Sequence, residues 1–83
     1  MSYNITFKKS VFKDLSRLPK QEALKILDKI DQELPQNADK FPMLRGKFKG
    51  MRRFRVGDYR TIFIILDKDV VILRFYHHKD VYK

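Results

Sequence analysis

The sequence predicts one α+β domain over residues 1–83, an antiparallel sheet of about four strands with an N-terminal helical hairpin packed on one face. Two observations predict this class. Apolar residues recur at helical spacing between residues 11 and 34, whereas β-branched and aromatic residues are concentrated in residues 3–7 and 51–77. The helical part divides at Pro19, and two helices joined so closely are antiparallel neighbours. The predicted order of elements is β-α-α-β-β-β.

Periodicity and the positions of the prolines give the first three elements. Residues 3–7 alternate apolar and polar side chains with period two, which is typical of a strand. Residues 11–18 have helical spacing and a polar outer side. Pro19 ends this helix and is well placed to begin the next, where its missing N–H costs nothing. The second helix is predicted from residue 20 to about residue 34, with Pro35 as its end.

Three strands are predicted in the second half of the chain. Residues 51–56 lead to a turn at Gly57-Asp58, and residues 59–66 are rich in Ile and Phe, as a central strand should be. A short loop at residues 67–69 returns the chain in an antiparallel strand over residues 70–77. One face of the sheet is expected under the helices, which leaves the other face free for function.

Strand parity predicts which side chains share a face. Because side chains alternate along a strand, Arg53 and Arg55 share one face, while Phe54 and Val56 point the other way. On the last strand two sets of residues take opposite faces: Arg74, Tyr76 and His78 against Leu73, Phe75 and His77. The third strand is apolar on both faces, so parity does not orient it, and Arg60 lies at its start.

Positive charge is concentrated in residues 45–60, which hold seven basic residues and one acid, Asp58, in a chain of net charge +9. Aromatic and apolar residues are interleaved with these cations, so the stretch predicts an ordered, amphipathic strand pair rather than a disordered basic tail. Such a surface favours a polyanion, above all RNA or DNA, or else an acidic partner protein. RNA-binding roles are expected for four of its residues: Lys47, Lys49, Arg52 and Arg55.

The residue inventory makes several other classes of protein improbable. The chain has no cysteine, which excludes disulfides and thiolate metal sites, and two adjacent histidines cannot by themselves close a tetrahedral zinc site. No convincing pair of catalytic carboxylates and no phosphate-binding glycine loop is present. No apolar run reaches the ~20 residues that cross a bilayer, and the N-terminus does not resemble a secretion signal. We therefore expect no metal, no cofactor, no membrane association and a cytoplasmic location.

The remaining chemistry is metal-free cleavage of RNA. The 2′-hydroxyl can attack its own phosphate if a base, an acid and cations are supplied, and His78, Tyr82 and the arginines could supply them. Each residue also has a plainer interpretation. The Arg53–Arg55 pair could only solubilise the sheet, and Arg60 could pair with Asp58. His77 is expected to be packed or solvated, and Tyr82 could only anchor the end of the chain.

Three sequence strings resemble the RelE/ParE toxin superfamily: LRG at 44–46, RFRVGDYR at 53–60 and HHKDVY at 77–82. The likeness spans nearly the whole chain and is greatest to the RelE branch. It implies the toxin of a type II toxin–antitoxin system, an endoribonuclease that cleaves mRNA in the A site of the 70S ribosome. It also implies a cognate antitoxin that covers the charge of the toxin, and contact with operator DNA only through the antitoxin complex.

The resemblance assigns the catalytic roles residue by residue. It places phosphate stabilisation on Arg53 and Arg60, and substrate positioning on Tyr82. Many relatives have arginine where this chain has His78, which is the candidate general acid or base. Met51 stands where some relatives have a basic residue.

The same fold leaves two other functions open. A ParE-like toxin would poison DNA gyrase without cutting RNA. A relative without activity would serve only in an autorepressor complex with its antitoxin.

Overall fold

The computed structural model describes residues 2–44, 50–77 and 79. The elements, in chain order, are β1 (Asn4–Phe7), α1 (Lys9–Ser16), α2 (Lys20–Asn37), a 3₁₀ turn (Ala38–Lys40), β2 (Arg52–Val56), β3 (Tyr59–Leu66) and β4 (Asp69–His77). The predicted α+β class and the order β-α-α-β-β-β are confirmed.

The four strands form one sheet in the order β1-β4-β3-β2. Strands β2, β3 and β4 are an antiparallel meander, and β1 joins the free edge of β4 in parallel. The sheet is therefore mixed, whereas the sequence predicted antiparallel pairing throughout. Side-chain periodicity reports which face of a strand is buried, but it carries no information about the direction of the neighbouring strand.

The hydrophobic core lies between α2 and one face of the sheet, which we call the inner face. Ile26, Ile30 and Leu34 recur every four residues on α2 and are buried. They form one cluster with Val11 of α1, Ala38 and the inner-face residues Phe54, Phe63, Val70, Ile72 and Phe75. Burial of each large apolar side chain contributes about 1.5–3 kcal/mol to the free energy of folding. The core therefore determines which face of the sheet packs against α2 and which faces solvent.

Helix α2 continues past Pro35 to Asn37, so the prediction that this proline ends the helix is wrong. The missing N–H removes only one hydrogen bond near the end of the helix. The backbone around it is well anchored, because Leu34 is fully buried and the Pro35 carbonyl accepts a 2.7 Å hydrogen bond from the N–H of Tyr3. Ala38, which directly follows the helix, is buried in the core.

Two-residue loops join the strands of the meander. Gly57 and Asp67 each begin a loop with φ of +58°, a left-handed conformation that glycine adopts freely and aspartate tolerates. Leu66 pairs with Asp69, which shortens the loop predicted at residues 67–69 to two residues. The tight turns fix the register between β2, β3 and β4.

Candidate nucleic-acid interface

Four arginines lie on the outer face of the sheet, opposite the core. The register aligns them in two rows across β2, β3 and β4. The first row is Arg53, Ile62 and Arg74, and the second is Arg55, Arg60 and Tyr76. Adjacent strands are about 4.8 Å apart, so the two rows place four arginines and a tyrosine on one continuous surface. We call Arg53, Arg55, Arg60, Arg74 and Tyr76 the arginine face.

The guanidinium groups of this face differ in their surroundings. Arg53 and Arg55 are exposed, and the Arg55 Nε donates to the Gly57 carbonyl at 3.3 Å. Arg60 is half-buried, and its buried Nε has no hydrogen-bond acceptor among the described residues. A buried cationic donor without an acceptor is unfavourable in the free protein and is satisfied by a bound anion.

Like charges are opposed on this face. Arg55 and Arg60 are direct cross-strand partners in the antiparallel pair of β2 and β3. Like charges in that position destabilise a sheet. Sheet packing does not explain this pairing, whereas an anionic ligand between the two guanidinium groups would.

A bulge in β4 brings Arg74 and Tyr76 into the two rows. Phe63 pairs with Ile72, whereas its neighbour Ile62 pairs with Arg74, so Leu73 has no partner on β3. Parity predicted Leu73 on the face of Phe75, but it lines a cleft on the outer face together with Arg74 and Tyr76. The extra residue at a bulge breaks the alternation on which parity depends.

Arg52 lies on the opposite face from the other arginines of β2. One guanidinium nitrogen, Nη1, donates to the carbonyls of Asp39 (3.2 Å) and Phe41 (2.7 Å). These bonds hold the 3₁₀ turn against β2, where the Phe41 ring packs edge-on against Phe54 at 4.8 Å. The structure therefore gives Arg52, expected to bind RNA, a contact that stabilises the fold.

The structure brings three of the predicted site residues together: Arg53, Arg55 and Arg60. Apart from Arg52, the other predicted residues lie outside the described part of the chain: His78, Tyr82, Lys47 and Lys49. His77 packs edge-on against Tyr59 with ring centroids 5.2 Å apart, as expected for a packing residue. The site assignment missed Arg74 and Tyr76, although parity already placed these two residues on one face of the last strand.

Within residues 2–44, 50–77 and 79, no group of three or more histidine and acidic side chains is arranged to hold a metal ion. None of the helices in this part of the chain is long and apolar enough to span a bilayer.

The chain has a four-stranded mixed sheet, two helices between its first and second strands, and an outer face of arginines. It is therefore a small basic α+β domain. Residues 5–82 match the family model of the ParE toxin of the type II toxin–antitoxin system, parDE. The chain therefore belongs to this family, within the RelE/ParE toxin superfamily, and the resemblance in the sequence strings is confirmed. No curated protein matches the chain significantly.

Solved structures agree with the family assignment. The RelBE2 toxin–antitoxin complex of Mycobacterium tuberculosis contains a chain with 28% identity and a TM-score of 0.87, matched over 93% of this chain and 99% of that one. A chain of the archaeal RelE–RelB complex from Pyrococcus horikoshii has 31% identity and a TM-score of 0.71, with coverage of 93% and 96%. The chromosomal ParDE system of Pseudomonas aeruginosa has 17% identity, a TM-score of 0.71 and coverage of 92% and 96%, a likeness of fold.

Proposed function

We propose that this chain is a ribosome-dependent endoribonuclease that cleaves mRNA as the toxin of a type II toxin–antitoxin system. The observation that carries the proposal is the arginine face, on which Arg55 and Arg60 are opposed across two strands beside Tyr76. An RNA phosphodiester supplies the negative charge that this arrangement lacks. An aromatic ring at the same place supplies a surface for an unpaired base.

The proposed reaction is an internal displacement at phosphorus. The 2′ oxygen of one nucleotide forms a bond to the adjacent phosphorus as its proton passes to a base. The bond from phosphorus to the 5′ oxygen of the next nucleotide breaks, and that oxygen takes a proton from an acid. The products are a 2′,3′-cyclic phosphate and a 5′-hydroxyl end, and neither a metal nor an external oxidant takes part.

Arg53 and Arg60 are proposed to stabilise the negative charge that grows on the phosphoryl oxygens in the transition state. A guanidinium group can donate two parallel hydrogen bonds to such oxygens. Arg55 is proposed to bind the RNA next to the reacting phosphate. His78 is proposed as general acid or base because histidine titrates near neutral pH, and Tyr82 as the residue that positions or stacks the substrate.

The proposal is tested by inducing the protein in cells without antitoxin and mapping mRNA ends. We expect new 5′-hydroxyl ends within translated codons, and loss of these ends when translation initiation is blocked. Intact messages and unchanged translation would contradict the proposal.

Site variants sharpen the same test. Arg60→Ala and His78→Ala are expected to relieve growth arrest while the circular dichroism spectrum stays unchanged. Lys25→Ala on the exposed side of α2 serves as control and should remain toxic. Full toxicity of both site variants would show that the assigned residues are wrong.

A second candidate is poisoning of DNA gyrase, favoured by the match to the ParE toxin model. The discriminating measurement is supercoiling by purified gyrase in the presence of the protein. Inhibition at stoichiometric protein would favour this candidate, whereas normal supercoiling together with mRNA cleavage supports the ribonuclease. Normal growth after expression without antitoxin would instead favour a relative that has lost activity and acts only in a repressor complex.

The proposed partner is a cognate antitoxin, because the Mycobacterium and Pyrococcus relatives were solved as toxin–antitoxin complexes. A net charge of +9 favours an antitoxin segment rich in acidic residues. Operator DNA is proposed to be bound only by the complex. A toxin that acts on translating ribosomes would work in the cytoplasm.

A further inference from the structure

A cleft of about 760 Å³ lies between α1 and the outer face of the sheet. On the sheet side its lining includes Ile62, Leu73, Arg74 and Tyr76, so it is continuous with the arginine face. Its other wall is polar and comes from α1 and the residues on either side of it: Lys8, Ser10, Lys13, Asp14 and Arg17. Helical periodicity alone places Lys13 and Arg17 on the outer side of α1, whereas the fold turns them toward this cleft.

Helix α1 lies along the part of the β4 edge that extends beyond the end of β1. Hydrogen bonds to β4 fix it there. Strand β1 ends at Phe7, and the next residue, Lys8, donates its N–H to the Ile72 carbonyl at 3.0 Å. Further along β4, the backbone N–H of Phe75 donates to the Asp14 carboxylate of α1 at 3.1 Å. The helix wall of the cleft therefore has a fixed position relative to the arginine face.

The described lining of the cleft carries an excess of positive charge. Four cations line it, namely Lys8, Lys13, Arg17 and Arg74, against one carboxylate. That carboxylate, on Asp14, is 13% exposed and already engaged, since it accepts from Phe75 and lies 3.7 Å from the Arg74 Nε. Three positive charges of the lining therefore remain in excess, which favours an anionic ligand.

The shape and the remaining lining define which anion fits. A volume near 760 Å³ lies within the range of small-ligand sites, roughly 300–1,000 Å³. Leu44, Met51 and Ile62 add apolar surface to the lining, which also includes Tyr76. A lining that combines apolar and aromatic surface with cations is the combination that binds single-stranded nucleic acid, because a base can pack on the former and a phosphate can meet the latter.

We propose that the α1 cleft binds the nucleotide adjacent to the reacting phosphate, with Lys13 and Arg17 in contact with the backbone phosphates of single-stranded message. This inference rests on the proposed function and extends it, because it adds a second wall to an RNA site formed by the arginine face. Asp14 acts indirectly, as the residue that fixes the wall against β4.

The test compares the double variant Lys13→Gln/Arg17→Gln with a matched control, Lys25→Gln/Lys29→Gln. Both pairs are four residues apart, both are exposed, and both variants lose the same charge, but the control pair lies on α2 away from the cleft. The probe is a labelled oligouridylate with 2′-O-methyl groups, whose blocked 2′ oxygen cannot attack phosphorus. Fluorescence anisotropy measures its binding by the purified full chain at several KCl concentrations.

We expect the cleft variant to bind the oligouridylate more weakly than the wild type does. The slope of the logarithm of its binding constant against log[salt] should be smaller in magnitude by about 1.4, which is about 0.7 for each lost phosphate contact with a single strand. The control should keep the wild-type slope, and the exchange Lys13→Arg/Arg17→Lys should restore binding. Equal slopes for the wild type and the cleft variant, or equal losses in both double variants, would overturn the inference.

The failure of this inference can be told from failure of the proposed function. If the wild type cleaves message in cells but the cleft variant keeps the wild-type slope, only the α1 cleft is wrong. If the slope falls as expected but no message is cleaved in cells, the cleft binds RNA and the ribonuclease proposal fails. If the protein binds ribosomes without message as tightly as ribosomes that carry message, the wall contacts ribosomal RNA. That result would overturn its role in binding message.

Discussion

The cross-strand pair of Arg55 and Arg60 places two positive charges next to each other on the arginine face. Two guanidinium groups directly opposite in an antiparallel pair repel each other, and such a pair costs about 0.2–1 kcal/mol. Screening by solvent keeps the repulsion small, because Arg55 is exposed. In the proposed RNA site, a phosphate between the two groups would remove this repulsion.

Replacing Arg55 with threonine should therefore stabilise the free protein. We expect the free energy of unfolding in urea to rise by about 0.2–1 kcal/mol, because threonine suits a strand and ends the repulsion. Arg53→Thr is the matched control, since Arg53 lies opposite the apolar Ile62 on the same face. A gain of the same size in both variants would show that the cross-strand repulsion is not the cause.

The buried hydroxyl of Thr61 gives a second prediction. Its side chain is 1% exposed within the core, and its Oγ1 has no hydrogen-bond partner in the described residues. Thr61→Val removes this unsatisfied hydroxyl and keeps a β-branched shape. We therefore expect the free energy of unfolding, measured by chemical denaturation, to rise by about 1 kcal/mol. A loss of stability would mean that the hydroxyl is satisfied in solution, which a bound water would explain.

At the residue scale the sequence identified the arginine face in outline. Alternation along a strand is enough to place Arg53 and Arg55 on one face, because the period of a regular strand is two. The role of Arg52 could not be predicted, since its acceptors are two carbonyls of residues 39 and 41 whose position depends on the folded 3₁₀ turn. Hydrogen bonds of this kind leave no periodic signal in a sequence.

At the scale of elements, one carboxylate of α1 forms a hydrogen bond to the backbone of β4. Asp14→Ala leaves the Phe75 N–H without its acceptor and should destabilise the protein by about 1–3 kcal/mol. Asp14→Asn keeps a neutral acceptor and should recover part of this loss. Urea denaturation gives both values, and amide hydrogen exchange at Phe75 should be faster in the alanine variant. Equal stability of all three proteins would show that the hydrogen bond does not hold α1 in place.

The type and order of the elements were predictable, but their pairing was not. The buried stripe of α2 is encoded by residues four apart, so periodicity identifies the helix and its inner side. The parallel pairing of β1 with β4 depends on how the two helices cross the sheet, which is a property of the packed structure. The bulge at Leu73 likewise arises from the meeting of two strands, so neither strand predicts it alone.

At the scale of the whole molecule, charge determines how stability responds to salt. With a net charge of +9 on 83 residues, repulsion among the positive side chains destabilises the folded state. Salt screens that repulsion. We expect Tm to rise with KCl, by about 4–8 °C for each ~1 kcal/mol of repulsion removed. The variant Lys25→Gln/Lys29→Gln should respond less. A Tm that does not change with KCl would show that the charges are already well separated in the fold.

The parallel pairing of β1 with β4 also has a consequence for protein synthesis. Asn4 lies beside Asp69, so the first strand cannot pair with its neighbour until synthesis has passed residue 69. Pairings between such distant residues form slowly, because the intervening chain has to be ordered first. Until β4 emerges from the ribosome, neither β1 nor the N-terminal helix wall has its partner. A nascent or truncated chain would then lack the completed sheet, and toxicity would begin only after β1 and β4 have paired.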